Sequence, residues 1–349
     1  MATMKDVAKR AGVSVSTVSH VLSETKYVSP RLRESVLKAM RELNYQRNQI
    51  ARSLKRNRSE VIGLIVPDLT TPFFTSIVDG AERVVDANSY SLILGNSRGL
   101  HAKELQYLTV FAERCVEGLL VTSCGGITSN RVIELRSSGI PVVLIDQFLP
   151  DCEADSVLTD SREAIIKGIG YLAALGHRRI ATISGPVERG FFTSKERLEA
   201  YLEGLRRYGL EEDSNLILNG GFSKPGGKRA MKQLIGSDNL PTAVFIANGL
   251  MTIGAIEALE EAGLSVPGDI SILGFDDIHD WFPGMRTSIT TFRQPSFEMG
   301  AQAADLLFRR IRGESKDAPP RSVRLPVKFI VRDSCAPPRE RTLEVRAGT

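Results

Sequence analysis

From Val61 onward the chain alternates short apolar runs with segments of helical period, and this alternation restricts the fold more than any other feature. Val61-Ile-Gly-Leu-Ile-Val66 predicts a buried strand and Phe73 to Ala87 a helix. Ser91–Leu94, Gly118–Val121 and Pro141–Ile145 predict further strands with helices between them. A second series begins after Asp160, with strands at Ile180–Ile183, Thr242–Ala247 and Ile270–Leu273. Such alternation predicts parallel sheets covered by helices on both faces, here as two doubly wound α/β lobes. At 349 residues and 42% hydrophobic content the chain can fill two sizeable cores.

In open parallel sheets, ligands bind beyond the carboxyl ends of the strands, so the cleft between the lobes is the expected site. The residues that follow the strands are therefore the informative ones. Asp68-Leu-Thr-Thr-Pro72-Phe73-Phe74 follows the first strand, and Asp146-Gln147-Phe148 a later one. The second lobe offers Arg189, Phe191, Arg197, Phe222, Asn248, Asp276 and Gln294. Carboxylates, arginines, amides and phenylalanines recurring at strand ends suit a small polar ligand with an apolar face. A charged fork fixes hydroxyl orientation, and aromatic rings cover C–H faces or a base plane.

The first 58 residues carry thirteen Lys/Arg against four Asp/Glu, whereas the whole chain has a formal net charge of +4. Basicity confined to one end is an electrostatic footprint for nucleic acid, because each neutralised phosphate releases counterions. Thr3 and Asp6 form a capping box for a first helix with Val7, Ala8 and Ala11 on one side, stopped at Gly12. Ser14 caps a second helix whose predicted inner face is Val15, Val18 and Leu22 and whose outer face is Ser16, Thr17 and His20. Ser29-Pro30 opens a third, with Leu32, Val36, Met40 and Leu43 inward. Such a helix-turn-helix can present its second helix to a major groove. One reading helix is too little for genomic specificity, so a dimer on near-palindromic double-stranded DNA is expected. Asn48 to Arg56 reads as a short basic amphipathic helix with Ala51 and Leu54 on one side, marginal alone but able to pair with a second copy. Leu54 could then wedge into a minor groove.

The segments "MATMKDVAKRAGVS", "STVSHVL" and "ARSLK" resemble the LacI/GalR family of bacterial transcription factors, nearest to its purine and ribose repressor branches, and the likeness extends to about residue 335. The resemblance implies a small all-α helix-turn-helix head and a bilobal, periplasmic-binding-protein-like body of two doubly wound parallel sheets. It implies a head at 1–47, a hinge helix and linker at 48–59, a first lobe at 60–160 plus 292–320, a second lobe at 161–291 plus 321–340, and a tail at 341–349. Three crossings between lobes are implied, after Thr159, near Ser288–Phe292 and near Pro319-Pro320. Implied DNA contacts are Thr3, Val15, Ser16, Thr17, His20 and Lys26, with Ala51, Leu54 and Lys55 in the hinge. Implied effector contacts are Phe73, Phe74, Asp146, Arg197, Phe222, Asn248, Asp276 and Gln294, and the strand-end reading adds Arg189 and Phe191 as candidates.

Several positions depart from the family. Val15 and Lys26 differ from the Thr and Arg of the purine branch. Gly249 stands where an Asp commonly follows the asparagine, and Thr71 replaces an asparagine of ribose-type relatives. The loop from Arg189 to Arg197 is longer than in the purine branch by about two residues and adds Phe191 and Phe192; these changes speak against both ribose and purine, and a sugar or sugar derivative is the expected effector.

The expected protein is a repressor-type regulator, a cytoplasmic, nucleoid-associated homodimer without cofactor, since the tail lacks leucine heptads and no signal peptide or spanning run occurs. Cys115 and Cys124 are expected as buried thiols. Two alternatives are a catabolite-control-type regulator answering to a phosphorylated carrier protein and an enzyme on the same fold. Against the enzyme, the first strand lacks a Gly-x-Gly-x-x-Gly sequel, no Gly-x-Ser-x-Gly elbow occurs, and His101, His177 and His279 lack metal spacing. Asp276 and Asp277 should diverge rather than act as an acid–base pair.

Overall fold

The computed structural model of the chain describes residues 2–23, 26–45, 59–114, 116–125, 128–149, 152–281, 284, 286–314 and 318–339. Two units separate, Met1–Ser59 and Glu60–Thr349. The hinge segment with Ala51, Leu54 and Lys55 lies outside the described residues, as does Cys115.

The head contains α1 (Met4–Ala11), α2 (Val15–Ser23) and α3 (Pro30–Glu42). In the capping box the Asp6 N–H donates to Thr3 Oγ1 at 3.3 Å, and the Thr3 N–H donates to the Asp6 carboxylate at 2.8 Å. Gly12 takes the left-handed conformation, φ 68°, that ends α1. The Thr17 N–H donates to Ser14 Oγ at 3.1 Å and so caps α2. Val7, Ala8, Val18, Val21, Val36 and Ala39 form the buried core. Two residues expected inside are not: Val15 is 40% exposed and Leu32 42%. The core is too small to reach the first turns of α2 and α3, and Val21 and Ala39 fill it instead. Ser29 precedes Pro30 as expected but makes no side-chain cap bond.

The body begins with β1 (Val61–Val66), α4 (Pro72–Ala87), β2 (Ser91–Asn96), α5 (His101–Glu113), β3 (Gly118–Val121), α6 (Ser129–Ser137), β4 (Val142–Ile145) and β5 (Asp155–Asp160). It continues through α7 (Arg162–Ala174), β6 (Ile180–Ser184), α8 (Phe192–Arg207), β7 (Ile217–Asn219), α9 (Lys224–Ile235), β8 (Ala243–Ile246) and α10 (Gly249–Glu261). Then come β9 (Ser271–Phe275), α11 (Ile278–Trp281), β10 (Thr290–Arg293), α12 (Ser296–Ile311), β11 (Ser322–Pro326) and β12 (Lys328–Ile330). The first sheet has the order β11-β5-β4-β3-β1-β2 and the second β12-β10-β9-β8-β6-β7. Pairing is parallel except between β10 and β12. Separate apolar clusters lie beneath the two sheets. No described helix is long and apolar enough to cross a membrane.

Sheet membership corrects two of the three crossings. The first falls at Ser161, between β5 and α7, as expected. The second falls at Gln294–Pro295, because β10 remains hydrogen-bonded to β9 through Phe292 and to β12 through Arg293. The third falls at Val327 rather than near Pro319-Pro320, because β11 pairs with β5 from Ser322 to Pro326. Asp155 organises that return: it accepts from Arg310 of α12 at 2.7 and 2.8 Å and from the Arg321 N–H at 2.7 Å. Among the described residues the first lobe therefore comprises 60–160 and about 295–326, and the second 161–294 and 328–339. α12 is tied to the first lobe by a close helix crossing. A Cβ on Gly80 of α4 would lie 2.0 Å from the Phe297 carbonyl oxygen, and one on Gly300 2.0 Å from that of Ile77, so the two backbones touch.

Candidate ligand cleft and nucleic-acid interface

The carboxyl ends of both sheets open onto a cavity of about 520 Å³, within the usual size of small-molecule sites. All ten candidate ligand residues line it. Three of them, Asp146, Phe222 and Asp276, have left-handed backbones, with φ 61°, 53° and 71°. Non-glycine residues rarely adopt this conformation, and such strain concentrates at functional sites. The peptides of both aspartates remain in their sheets: Asp146 N–H donates to the Val157 carbonyl and Asp276 N–H to that of Phe292, each at 2.9 Å. The same device turns one carboxylate per lobe into the cleft.

Arg197 sits on α8, buried, with its guanidinium carbon 3.8 Å from the centre of the Phe275 ring. It donates to the Ala247 carbonyl at 2.8 Å and to Gln294 Oε1 at 3.5 Å, and stands 3.9 Å from Asp146 Oδ1. Asp276 is well supplied, accepting from Gln294 Nε2 at 2.6 Å and the Gly249 N–H at 3.0 Å. Asp146 is not, since its Oδ1 is buried without a hydrogen-bond partner. Burial pushes the Asp146 carboxyl up to about 7; Arg197 opposes this, while Asp276 and Glu196 add to it. Burial also raises Asp276, against Arg197, Gln294 and the Gly249 amide. Thr122 Oγ1, in the same lining, is a second buried atom without a partner.

Aromatic rings form the apolar walls. Phe73 and Phe74 open α4 and meet edge to face at 5.0 Å. Phe191 and Phe222 do the same at 5.6 Å, and a Cβ on Gly185 would lie 2.3 Å from the Phe222 ring. Arg189 lies 5.3 Å over Phe191 and donates to the Gly99 carbonyl of the first lobe at 3.3 Å. Asn248 caps α10, accepting from the Met251 N–H at 3.2 Å, which leaves its amide nitrogen for the cavity. Gly249 is a steric requirement: a Cβ there would come within 2.6 Å of Trp281.

Several lining residues lie outside the ten candidate ligand contacts, Asp68 and Gln147 among them although both belong to strand-end segments. Gln147 joins the lobes, donating to Thr193 Oγ1 at 3.0 Å and accepting from the Phe192 N–H at 3.1 Å. Its position directly after Asp146 was the available signal. Asp68 accepts from the Thr70 N–H and from both threonine hydroxyls; burial opposes its ionisation, but these donors hold the carboxyl below its usual range. Arg98 and Cys124 also line the cavity. Glu104, fully buried in α5, accepts from Ser123 Oγ at 3.0 Å, the Cys124 N–H at 2.6 Å and the Thr128 hydroxyl, and so fixes the loop after β3. Burial, reinforced by Glu104, pushes the Cys124 thiol up to about 12, which makes it inert.

In the head, Thr3, Val15, Ser16 and Lys26 are exposed, and Thr17 and His20 are half-buried. Ser14 Oγ lies 2.7 Å from Ser16 Oγ and 2.8 Å from Thr17 Oγ1, which fixes the polar start of α2. The exposure of Val15 removes it from the core and leaves it beside Ser16 on the surface.

Residues 3–48 match the family described as bacterial regulatory proteins, lacI family, and residues 169–335 match a periplasmic binding protein-like domain. The chain is 36% identical over 320 residues to the "HTH-type transcriptional repressor PurR" of Vibrio atlanticus (strain LGP32), covering 91% of this chain and 94% of that one. It is 38% identical over 311 residues to the "Ribose operon repressor" of Escherichia coli (strain K12), covering 89% and 93%. Among solved structures it resembles the lac repressor dimer bound to operator and the anti-inducer ONPF, with TM-score 0.82 and 27% identity over 96% of this chain and 99% of that one.

Proposed function

This chain belongs to the lacI family of bacterial regulatory proteins, and on that premise we propose that it is a homodimeric repressor whose grip on operator DNA is set by a polyhydroxylated small molecule held between the two lobes. It is a DNA-binding transcription regulator, not an enzyme. Its proposed location is the bacterial cytoplasm, on the nucleoid.

The observation that carries the ligand class is the pair of buried oxygens without a hydrogen-bond partner, Asp146 Oδ1 and Thr122 Oγ1, in a cavity walled by phenylalanines. Leaving a buried polar atom unpaired costs about 1–3 kcal/mol, so a ligand that donates hydroxyls there is favoured strongly over one that cannot. Arg197, Asp276, Gln294 and Asn248 would orient its remaining hydroxyls, and Phe73, Phe74, Phe191 and Phe222 would cover its C–H faces. In the head, Ser16, Thr17 and His20 would read base edges, with Thr3, Val15 and Lys26 beside them. The hinge residues Ala51, Leu54 and Lys55 would grip the minor groove.

Regulation follows from linkage. A ligand shifts the balance between lobe settings only by its difference in affinity for them. The proposed coupling is that lobe setting governs whether two hinge segments pack and hold both reading helices on one operator. A thermal-shift screen of sugars, sugar derivatives and nucleobases on the full chain tests the ligand class. Stabilisation by a sugar-type compound, lost in Asp146→Ala, is expected; stabilisation by nucleobases alone would overturn it.

A further inference from the structure

The proposed ligand site has two chemically different ends. At the inner end, two buried carboxylates, Asp146 and Asp276, converge on a single buried guanidinium, Arg197, which is already committed to the Ala247 carbonyl and Gln294. At the mouth the charge is reversed. Arg98, from the loop between β2 and α5, and Arg189, from the loop between β6 and α8, both line the cavity and both are exposed.

Among the described residues neither mouth arginine is paired with a carboxylate. Arg189 instead donates to the carbonyl of Gly99, the residue next to Arg98, so the two cationic loops meet across the opening. A Cβ on Gly125 of the first lobe would lie 2.8 Å from the Arg189 carbonyl oxygen, which makes the approach one of backbone against backbone. Asp68, a first-lobe carboxylate that also lines the cavity, is occupied by Thr70 and Thr71.

We propose that the ligand is a sugar derivative bearing an anionic group, phosphate or carboxylate, with its hydroxyls at the Asp146–Arg197–Asp276 end and its anion between Arg98 and Arg189. The inference rests on the sugar-type reading above and narrows it. Because one arginine belongs to each lobe, a single anion would bridge the lobes at the mouth. A planar guanidinium fork suits either a phosphate or a carboxylate.

Calorimetric titration of the full chain with matched compounds tests this. The set comprises neutral hexoses and disaccharides, their 6-phosphates, the corresponding uronates, and inorganic phosphate alone, each with wild type and with the Arg98→Gln/Arg189→Gln double variant. At least one anionic sugar should bind about tenfold more tightly than its neutral parent, the size of one charge-assisted hydrogen bond. That advantage should vanish in the double variant, and which anion carries it tells phosphate from carboxylate. A neutral parent that binds as tightly, an advantage that survives both substitutions, or inorganic phosphate binding as tightly as any sugar would overturn the inference while leaving the proposed function standing. Binding by no sugar of either kind would overturn both.

Discussion

Asp276 and Asp277 are consecutive in the chain yet serve different walls. Asp276 faces the cleft and accepts from Gln294 and Gly249, whereas Asp277 accepts from both terminal nitrogens of Arg332, at 2.8 and 2.7 Å, and from Arg293 at 2.6 and 2.9 Å. The left-handed turn at Asp276 separates them. Arg293 ends β10 and Arg332 follows β12, so the clamp ties the cleft floor to the strands on which the chain crosses between lobes.

Asp277→Asn should therefore destabilise the body by about 3 kcal/mol at neutral pH, since one member of a largely buried pair is removed. Burial would raise the Asp277 carboxyl, but Arg332 and Arg293 outweigh it and hold it below the usual range. Its contribution is thus present above the unfolded value near 4 and is lost as pH falls through the lower folded value. Urea unfolding at pH 7 and below pH 4 should show the gap between wild type and variant closing in acid.

Asp146 behaves in the opposite sense. Its carboxyl is raised to about 7, so the protonated form suits its buried position, and stability is lost as pH rises from its unfolded value through 7. Asp146→Asn should match wild type near pH 4 and surpass it at pH 8, by an amount on the order of 1–3 kcal/mol. Denaturation curves at the two pH values decide this; a variant that is weaker by the same amount at both would remove the buried-acid account.

Trp281 is the sole tryptophan and lies against Gly249, which makes the close approach measurable. Gly249→Ala should shift the Trp281 emission and destabilise the body by about 1–3 kcal/mol, as overpacking does. An unchanged spectrum with full stability would show that the contact is not tight.

In the head, His20→Ala should relax discrimination at one base pair by about 1–3 kcal/mol. Lys26→Ala should instead weaken binding to all sequences alike and flatten the salt dependence by about one phosphate contact. Competition binding with single-base operator variants at several salt concentrations separates the two. Reversed behaviour would reassign the contacts.

Where each element's signal was local, the sequence was enough. The run Val61–Val66 and the capping box at Thr3 and Asp6 appear where they were read. The candidate cleft residues were legible because polar residues at strand ends converge by topology alone. What escaped depended on partners remote in sequence. β11, Ser-Val-Arg-Leu-Pro, is an edge strand whose place is fixed by Asp155 and α12, so the last crossing lies after it and not near Pro319-Pro320. Asp155-Ser-Val-Leu-Thr-Asp160 is too polar to read as the buried strand that it is. The exposure of Val15 reflects how far a small core reaches, which periodicity does not encode. Gly249 looked like a missing ligand group until Trp281 accounted for it.

The central claim is that occupancy of the cleft sets the strength of DNA binding. Fluorescence anisotropy of the full chain on a duplex that it selects from a random pool, with and without a saturating cleft ligand at fixed salt, tests this directly. The account predicts a change in operator affinity of about fivefold to 150-fold, the usual range of allosteric coupling. It also predicts that Asp146→Ala removes this response while ligand-free DNA binding persists. Identical operator affinity with the cleft full and empty would contradict it.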